Sequence, residues 1–212
     1  MHLRGPAVRG VGIRAREALD MAVSLLALSL GFAVAMSGRG LLGGINWARA
    51  LSYLPAVLVI LLFAFALHEL AHRQVARRFG HYAFYQADYL FLALSLLIPL
   101  LFGFIFAAPG AVVVIPRGHF WREDLRRDMF FISVAGPLTN LALSAAGIAL
   151  LCQIHSPWLE LFTYINAWLA VFNLLPLGPL DGRKALEADF RLWLAVFAAA
   201  VALLAYIFLG WG

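Results

Sequence analysis

Six long apolar runs dominate this chain, at roughly 18–36, 51–72, 89–115, 130–152, 159–177 and 191–209. Each approaches the ~20 residues that span a bilayer. Of the 212 residues, 64% are hydrophobic and only 13% charged, where a soluble domain carries about 25% charged residues. A larger core does not account for that gap. The expected fold is an all-α polytopic membrane protein. It forms one membrane-embedded domain over residues 1–212, with a core at 51–190 and accessory helices at 18–36 and 191–209.

The basic residues lie at the ends of these runs. Fifteen arginines and one lysine face 11 acids, for a net charge of +5. No basic patch interleaved with aromatics appears, so a nucleic-acid partner is not expected. The bias of cytoplasmic loops toward Arg and Lys explains the distribution better. Arg4, Arg9, Arg14 and Arg16 precede the first run, which is longer than the apolar part of a cleaved signal. It is expected to be a retained span, with the N-terminus cytoplasmic in a cell membrane. The one cysteine, Cys152, lies in an apolar run and is expected to serve packing.

Segment 89–115 decides the topology. If it enters the membrane and returns on the same side, 14 of the 16 basic residues fall inside; a single crossing gives a nine-to-seven split. A re-entrant segment is therefore expected, with five to six transmembrane helices in all. Pro99 interrupts the run, Gly103 follows, and Ala111-Val112-Val113-Val114-Ile115 has the β-branched character of a short membrane-associated strand. Non-helical backbone at such depth needs protein or water around it.

Inside the second run lies His68-Glu69-Leu70-Ala71-His72, an HExxH sequence. Residues i and i+4 share one face of a helix, so both imidazoles can meet one metal ion, with Glu69 beside it. Ionisable groups at bilayer depth cost on the order of 2.5–3.5 kcal/mol each, so three within five residues point to a purpose. The bland reading is a wet helix end at the interface.

A catalytic zinc takes a third protein ligand. The candidate is Asp181, in Asn173-Leu174-Leu175-Pro176-Leu177-Gly178-Pro179-Leu180-Asp181-Gly182. Two prolines and two glycines forbid a regular helix there. The alternatives are Asp181 as a helix N-cap, or Asp88 or Asp189 as the ligand. A third segment, Ala135-Gly136-Pro137-Leu138-Thr139-Asn140, is expected to open the run 130–152. There Gly136 permits close backbone approach and Pro137 suits a first turn. Asn140 is a candidate for binding substrate or a reaction intermediate, against a plain interhelical hydrogen bond. Asn166 and Asn173 read as interhelical links, Asn173 also as a support for Asp181. His2, His81, His119 and His155 read as surface or interfacial residues.

HELAH, AGPLTN and NLLPLGPLDG, in this order on successive apolar runs, resemble the site-2 protease family of intramembrane zinc metalloproteases. The likeness covers roughly residues 55–190. It implies zinc held by His68, His72 and Asp181, Glu69 as the catalytic glutamate, and a role for Asn140 in binding substrate or intermediate. The implied substrate is a single-span membrane protein cleaved within or near its helix. No PDZ or CBS module accompanies the motifs, and Arg183 stands where many relatives carry a second glycine. Glu69→Gln is expected to keep the metal and end cleavage. Two rivals remain in view: an inactive, protease-like membrane binding protein, and an ion transporter. A prenyl-protein endopeptidase ranks lower, because that class takes a Glu as third ligand.

Overall fold

The computed structural model describes residues 10–116 and 122–210. Arg4, Arg9, Arg117, His2 and His119 lie outside the described residues. The elements run α1 (Gly10–Ser37), α2 (Gly40–Gly43), α3 (Trp47–Arg78), β1 (Tyr82–Ala87), α4 (Tyr89–Phe102), β2 (Gly110–Ile115), α5 (Arg122–Leu151), α6 (Pro157–Asn173), α7 (Asp181–Ala188) and α8 (Phe190–Gly210). The chain is an all-α polytopic membrane protein with one small sheet. Among the described residues, four helices are long and apolar enough to cross a bilayer: Ala15–Ser37, Trp47–Arg78, Asp124–Leu151 and Phe190–Gly210. At 17 residues, α6 is only slightly shorter. Leu26, Leu62, Phe63, Leu138 and Phe208 turn outward and are exposed, as a lipid-facing surface requires.

Sequence signals set most boundaries. Asn46 caps α3, its side chain accepting from the Arg49 N–H at 3.0 Å. Pro157 begins α6, where its missing N–H is harmless. Gly103 ends α4 in the left-handed region at φ 69°, a conformation that favours glycine.

Segment 89–109 leaves and returns at one place. β1 and β2 are antiparallel, pairing Tyr82 with Ile115 and Ala87 with Gly110. The Asp88 N–H donates to the Pro109 carbonyl at 3.0 Å, closing the neck. The excursion cannot be a single crossing, so the expected re-entrance is present. What the sequence reading missed is β1, the partner strand. Its Tyr-Ala-Phe-Tyr pattern, aromatic and alternately buried, was the available signal.

Three further expectations need correction. Helix α5 begins at Arg122, well before the Gly136-Pro137 pair, so Pro137 lies inside the helix. The first two turns are charged and carry no apolar signal, yet they are helical. His81 is buried rather than interfacial, its Nε2 lying 3.1 Å from Asp128 Oδ2 on α5. Cys152 is exposed just past the end of α5, so it does not pack in the core. His155 is exposed, as expected.

The core lies between α1, α3, α6 and the sheet, with Phe32, Leu61, Tyr85 and Ile165 fully buried in it. α5 and α6 approach closely at Gly147, where an added Cβ would overlap Thr163 Oγ1. That oxygen is tied to the Leu159 carbonyl at 2.7 Å, so it cannot simply swing away. Gly147→Ala should lower the thermal midpoint in detergent, at a cost of about 1–3 kcal/mol from overpacking. Gly147→Ala with Thr163→Ala should recover most of that loss. Additive losses in the double variant would rule out this contact as the cause.

Candidate metal centre

His68 and His72 lie one turn apart on α3, both buried. Asp181 reaches them from the first residue of α7. His72 Nε2 lies 3.0 Å from His68 Nε2 and 3.0 Å from Asp181 Oδ2; His68 Nε2 lies 3.3 Å from the same oxygen. α3 and α7 thus bring together the three ligand candidates read from sequence. Asp181 does not act as an N-cap: Leu180 holds that place and no side-chain cap bond forms. Asp88 and Asp189 are spent on caps, accepting from Leu90 and Phe91 N–H and from Leu192 N–H.

The imidazole tautomers follow from their other nitrogens. His72 Nδ1 lies 2.6 Å from the Ile132 carbonyl oxygen, which can only accept, so Nδ1 carries the proton. His68 Nδ1 lies 2.5 Å from Asn140 Oδ1. Asn140 is oriented by its own donors, since Nδ2 gives to Ala64 O at 3.0 Å and to Asn166 Oδ1 at 2.9 Å. With both Nδ1 atoms donating, both Nε2 atoms of the neutral rings present lone pairs. Orienting partners of this type are the usual companions of metal-ligating histidines.

Two lone pairs and a carboxylate oxygen therefore face one point. Without a cation between them they would repel. Tetrahedral zinc with ligands at ~2.0–2.1 Å separates them by roughly 3.3 Å, close to the spacing here. Asp181 Oδ1, the other carboxylate oxygen, faces Lys184 Nζ at 3.4 Å, leaving Oδ2 turned to the histidines. The residues fit a zinc ion with one open position.

Glu69 is buried, and its Oε2 has no hydrogen-bond partner. A buried carboxylate oxygen left alone is costly. Glu69 lines a void of about 20 Å³ together with His68, His72, Asn173 and Asp181 on one part and Ala108, Gly110, Ala111 and Val112 on another. That is room for about one water. Beside it, sharing His72, Ala111, Val112, Pro179 and Asp181, lies a cleft of about 330 Å³ between β2 and α5.

Two glycines let the pieces meet. A Cβ on Gly136 would overlap Nε2 of His72 and crowd Nε2 of His68; one on Gly182 would overlap the Leu174 carbonyl. The close approach expected at Gly136 is thus against the imidazoles themselves. Arg126 of α5 donates to the Glu187 and Ala188 carbonyls at the end of α7, and Trp193 Nε1 of α8 donates to Leu174 O at 2.9 Å. These contacts fix the connector that carries Asp181. Asn140 is fully buried and all its hydrogen-bonding capacity toward α3 and α6 is used within the protein. Asn166, read as an interhelical link, completes this chain by accepting from Asn140 and donating to the Phe162 carbonyl at 2.8 Å. Asn173 donates to Leu169 O at 2.9 Å.

These features define a polytopic membrane protein with a buried two-histidine, one-carboxylate centre. No family model and no solved structure matches the chain. Among curated proteins, "Putative zinc metalloprotease MJ0611" of Methanocaldococcus jannaschii is 32% identical over 202 residues, 91% of this chain and 94% of that protein. "Putative zinc metalloprotease YwhC" of Bacillus subtilis is 31% identical over 158 residues, 65% of this chain and 70% of that one. Stage IV sporulation protein FB of the same organism is 33% identical over 136 residues, 63% of this chain and 40% of that one. The chain belongs to the site-2 protease family.

Asn140→Ala removes the acceptor that orients His68. Zinc affinity, measured by competition with a chromogenic chelator, should fall about 10- to 100-fold. Gly136→Ala should weaken zinc binding at least as much. Unchanged affinity in both variants would sever these residues from the metal.

Proposed function

We propose that this chain is an intramembrane zinc endopeptidase that hydrolyses a peptide bond within or near the transmembrane helix of a single-span membrane protein. The observation that carries the reading is a buried Glu69 with an unpartnered Oε2, lining a water-sized void beside three convergent ligand atoms. The relatives' names, zinc metalloproteases in several cases, support it.

His68, His72 and Asp181 would hold the ion. Zinc supplies Lewis acidity, making a water acidic near neutral pH and polarising a carbonyl. Glu69 takes the proton from the attacking water and passes it to the leaving amine. The bond broken is the scissile C–N bond. The bond formed joins the water oxygen to the carbonyl carbon, and the water's two protons end on the products.

A substrate helix hides its peptide bonds and must be drawn out. β2 offers an edge for this. The Tyr85 and Ala87 N–H groups point away from β2, toward α1. In an antiparallel ladder the residues opposite them share that parity. Val112 and Val114, opposite Tyr85 and Ala83, therefore turn their N–H and C=O groups to the outer edge, along the 330 Å³ cleft. An extended substrate segment pairing there lies beside His72 and Asp181. The basic loops support a cytoplasmic site in the cell membrane.

Glu69→Gln should retain one zinc per chain and lose at least about 10³-fold in cleavage of a panel of single-span helices, given the worth of a general base. Retained cleavage would refute Glu69 as the base. A wild-type protein that binds zinc and cleaves nothing favours the binding-protein rival. Ion flux in liposomes that survives Glu69→Gln favours a transporter.

A further inference from the structure

A two-strand sheet has two edges, and both present unpaired backbone groups. In this protein α1 occupies one of them. Glu17 and Asp20 are three residues apart on α1 and so lie on one face. Both are buried. Glu17 Oε1 accepts from the Tyr85 N–H at 3.1 Å, and Asp20 Oδ2 accepts from the Ala87 N–H at 3.3 Å. Ser24, one turn further along the same face, accepts from the Tyr85 hydroxyl at 2.9 Å. Two N–H groups spaced ~6.8 Å along a strand thus meet two carboxylates spaced ~4.5 Å along a helix, the longer Glu reach making up the difference. In this way α1 does the work of a third strand with side chains.

Glu17 has a second partner. Its Oε1 also accepts from Arg73 Nη1 at 3.0 Å. Arg73 directly follows His72 on α3. One carboxylate oxygen therefore joins α1, the β1 edge and the helix that carries both imidazoles. Burying two carboxylates in a chain this apolar is costly. Neither touches His68, Glu69, His72 or Asp181, so the metal chemistry does not require them. Among the described residues, their hydrogen bonds go to the sheet and to Arg73.

From this the geometry points to Glu17 and Asp20 as positioning residues that close the β1 edge, leave β2 as the docking edge and lock the sheet's register against the metal helix, so that α1 sets which substrate bond is cut. The role rests on the peptidase reading above. A strand that slips does so by two residues if the same side chains are to keep their faces. Loosening the clamp therefore moves the scissile bond in steps of two.

The test uses the full-length zinc-loaded protein in nanodiscs. Glu17→Ala, Asp20→Ala and Glu17→Gln are compared with wild type by zinc content, by hydrogen exchange over residues 82–87, and by mass spectrometry of the products of one single-span substrate. Glu17→Ala and Asp20→Ala should exchange at Tyr85 or Ala87 about 10-fold faster or more, keep one zinc per chain, raise KM severalfold with little change in kcat, and add products displaced by two residues. Glu17→Gln keeps an acceptor for Tyr85 but loses the ion pair. It should exchange nearly as wild type while still adding displaced products. Unchanged exchange in both alanine variants overturns the clamp. Faster exchange with a single unmoved scissile bond and unchanged KM overturns the register role, as does loss of zinc in all three variants. If the wild type cleaves no substrate, the peptidase reading fails together with the register role, and the exchange rates alone decide whether α1 closes the β1 edge.

Discussion

The convergence of two imidazole lone pairs and one carboxylate oxygen at a single buried point is the constraint on which this structure depends. Groups of like polarity do not gather in an apolar interior unless something of opposite charge is meant to lie among them. The surrounding architecture serves that meeting. Asn140 and the Ile132 carbonyl fix the rings by their far nitrogens, Lys184 holds the spare carboxylate oxygen, and Gly136 removes the one side-chain atom that would intrude. The Gly- and Pro-rich connector between α6 and α7 exists because a continuous helix would carry Asp181 past the site.

Much of this was legible in the residues. HExxH at helical spacing, a broken apolar run bearing one acid, and a Gly-Pro-Asn segment each signalled local geometry. Their chain order linked them to one family. The re-entrant course of 89–109 was legible from charge placement, because Arg and Lys resist crossing the membrane and mark sides. Less legible was anything that depends on a distant partner. β1 is six residues in a connector, and its strand character matters only because β2 returns to pair with it. His81 looks like any connector histidine until Asp128 arrives from α5. Glu17 and Asp20 sit in the first turns of a span, near its charged approach, where acids are unremarkable by pattern. Their significance lies in the N–H groups of Tyr85 and Ala87, some 67 or 68 positions away.

Asn140 shows how much of a side chain's surroundings local chemistry leaves open. An amide one turn into a helix near a metal can be drawn as a donor to reacting atoms. In the folded chain the same amide bridges α3, α5 and α6, with its oxygen on His68 and its nitrogen on Ala64 and Asn166. Charge and spacing could place it near the centre; only packing shows which of its neighbours it reaches.

The void at the candidate metal centre has room for about one water and none for a peptide, and Ala108 with the first residues of β2 forms one of its walls. The adjoining cleft, which shares His72, Ala111, Val112, Pro179 and Asp181 with the void, is the space through which a polypeptide would approach Glu69. So small a void leaves little room beside the three convergent ligand atoms for passing loops or headgroups.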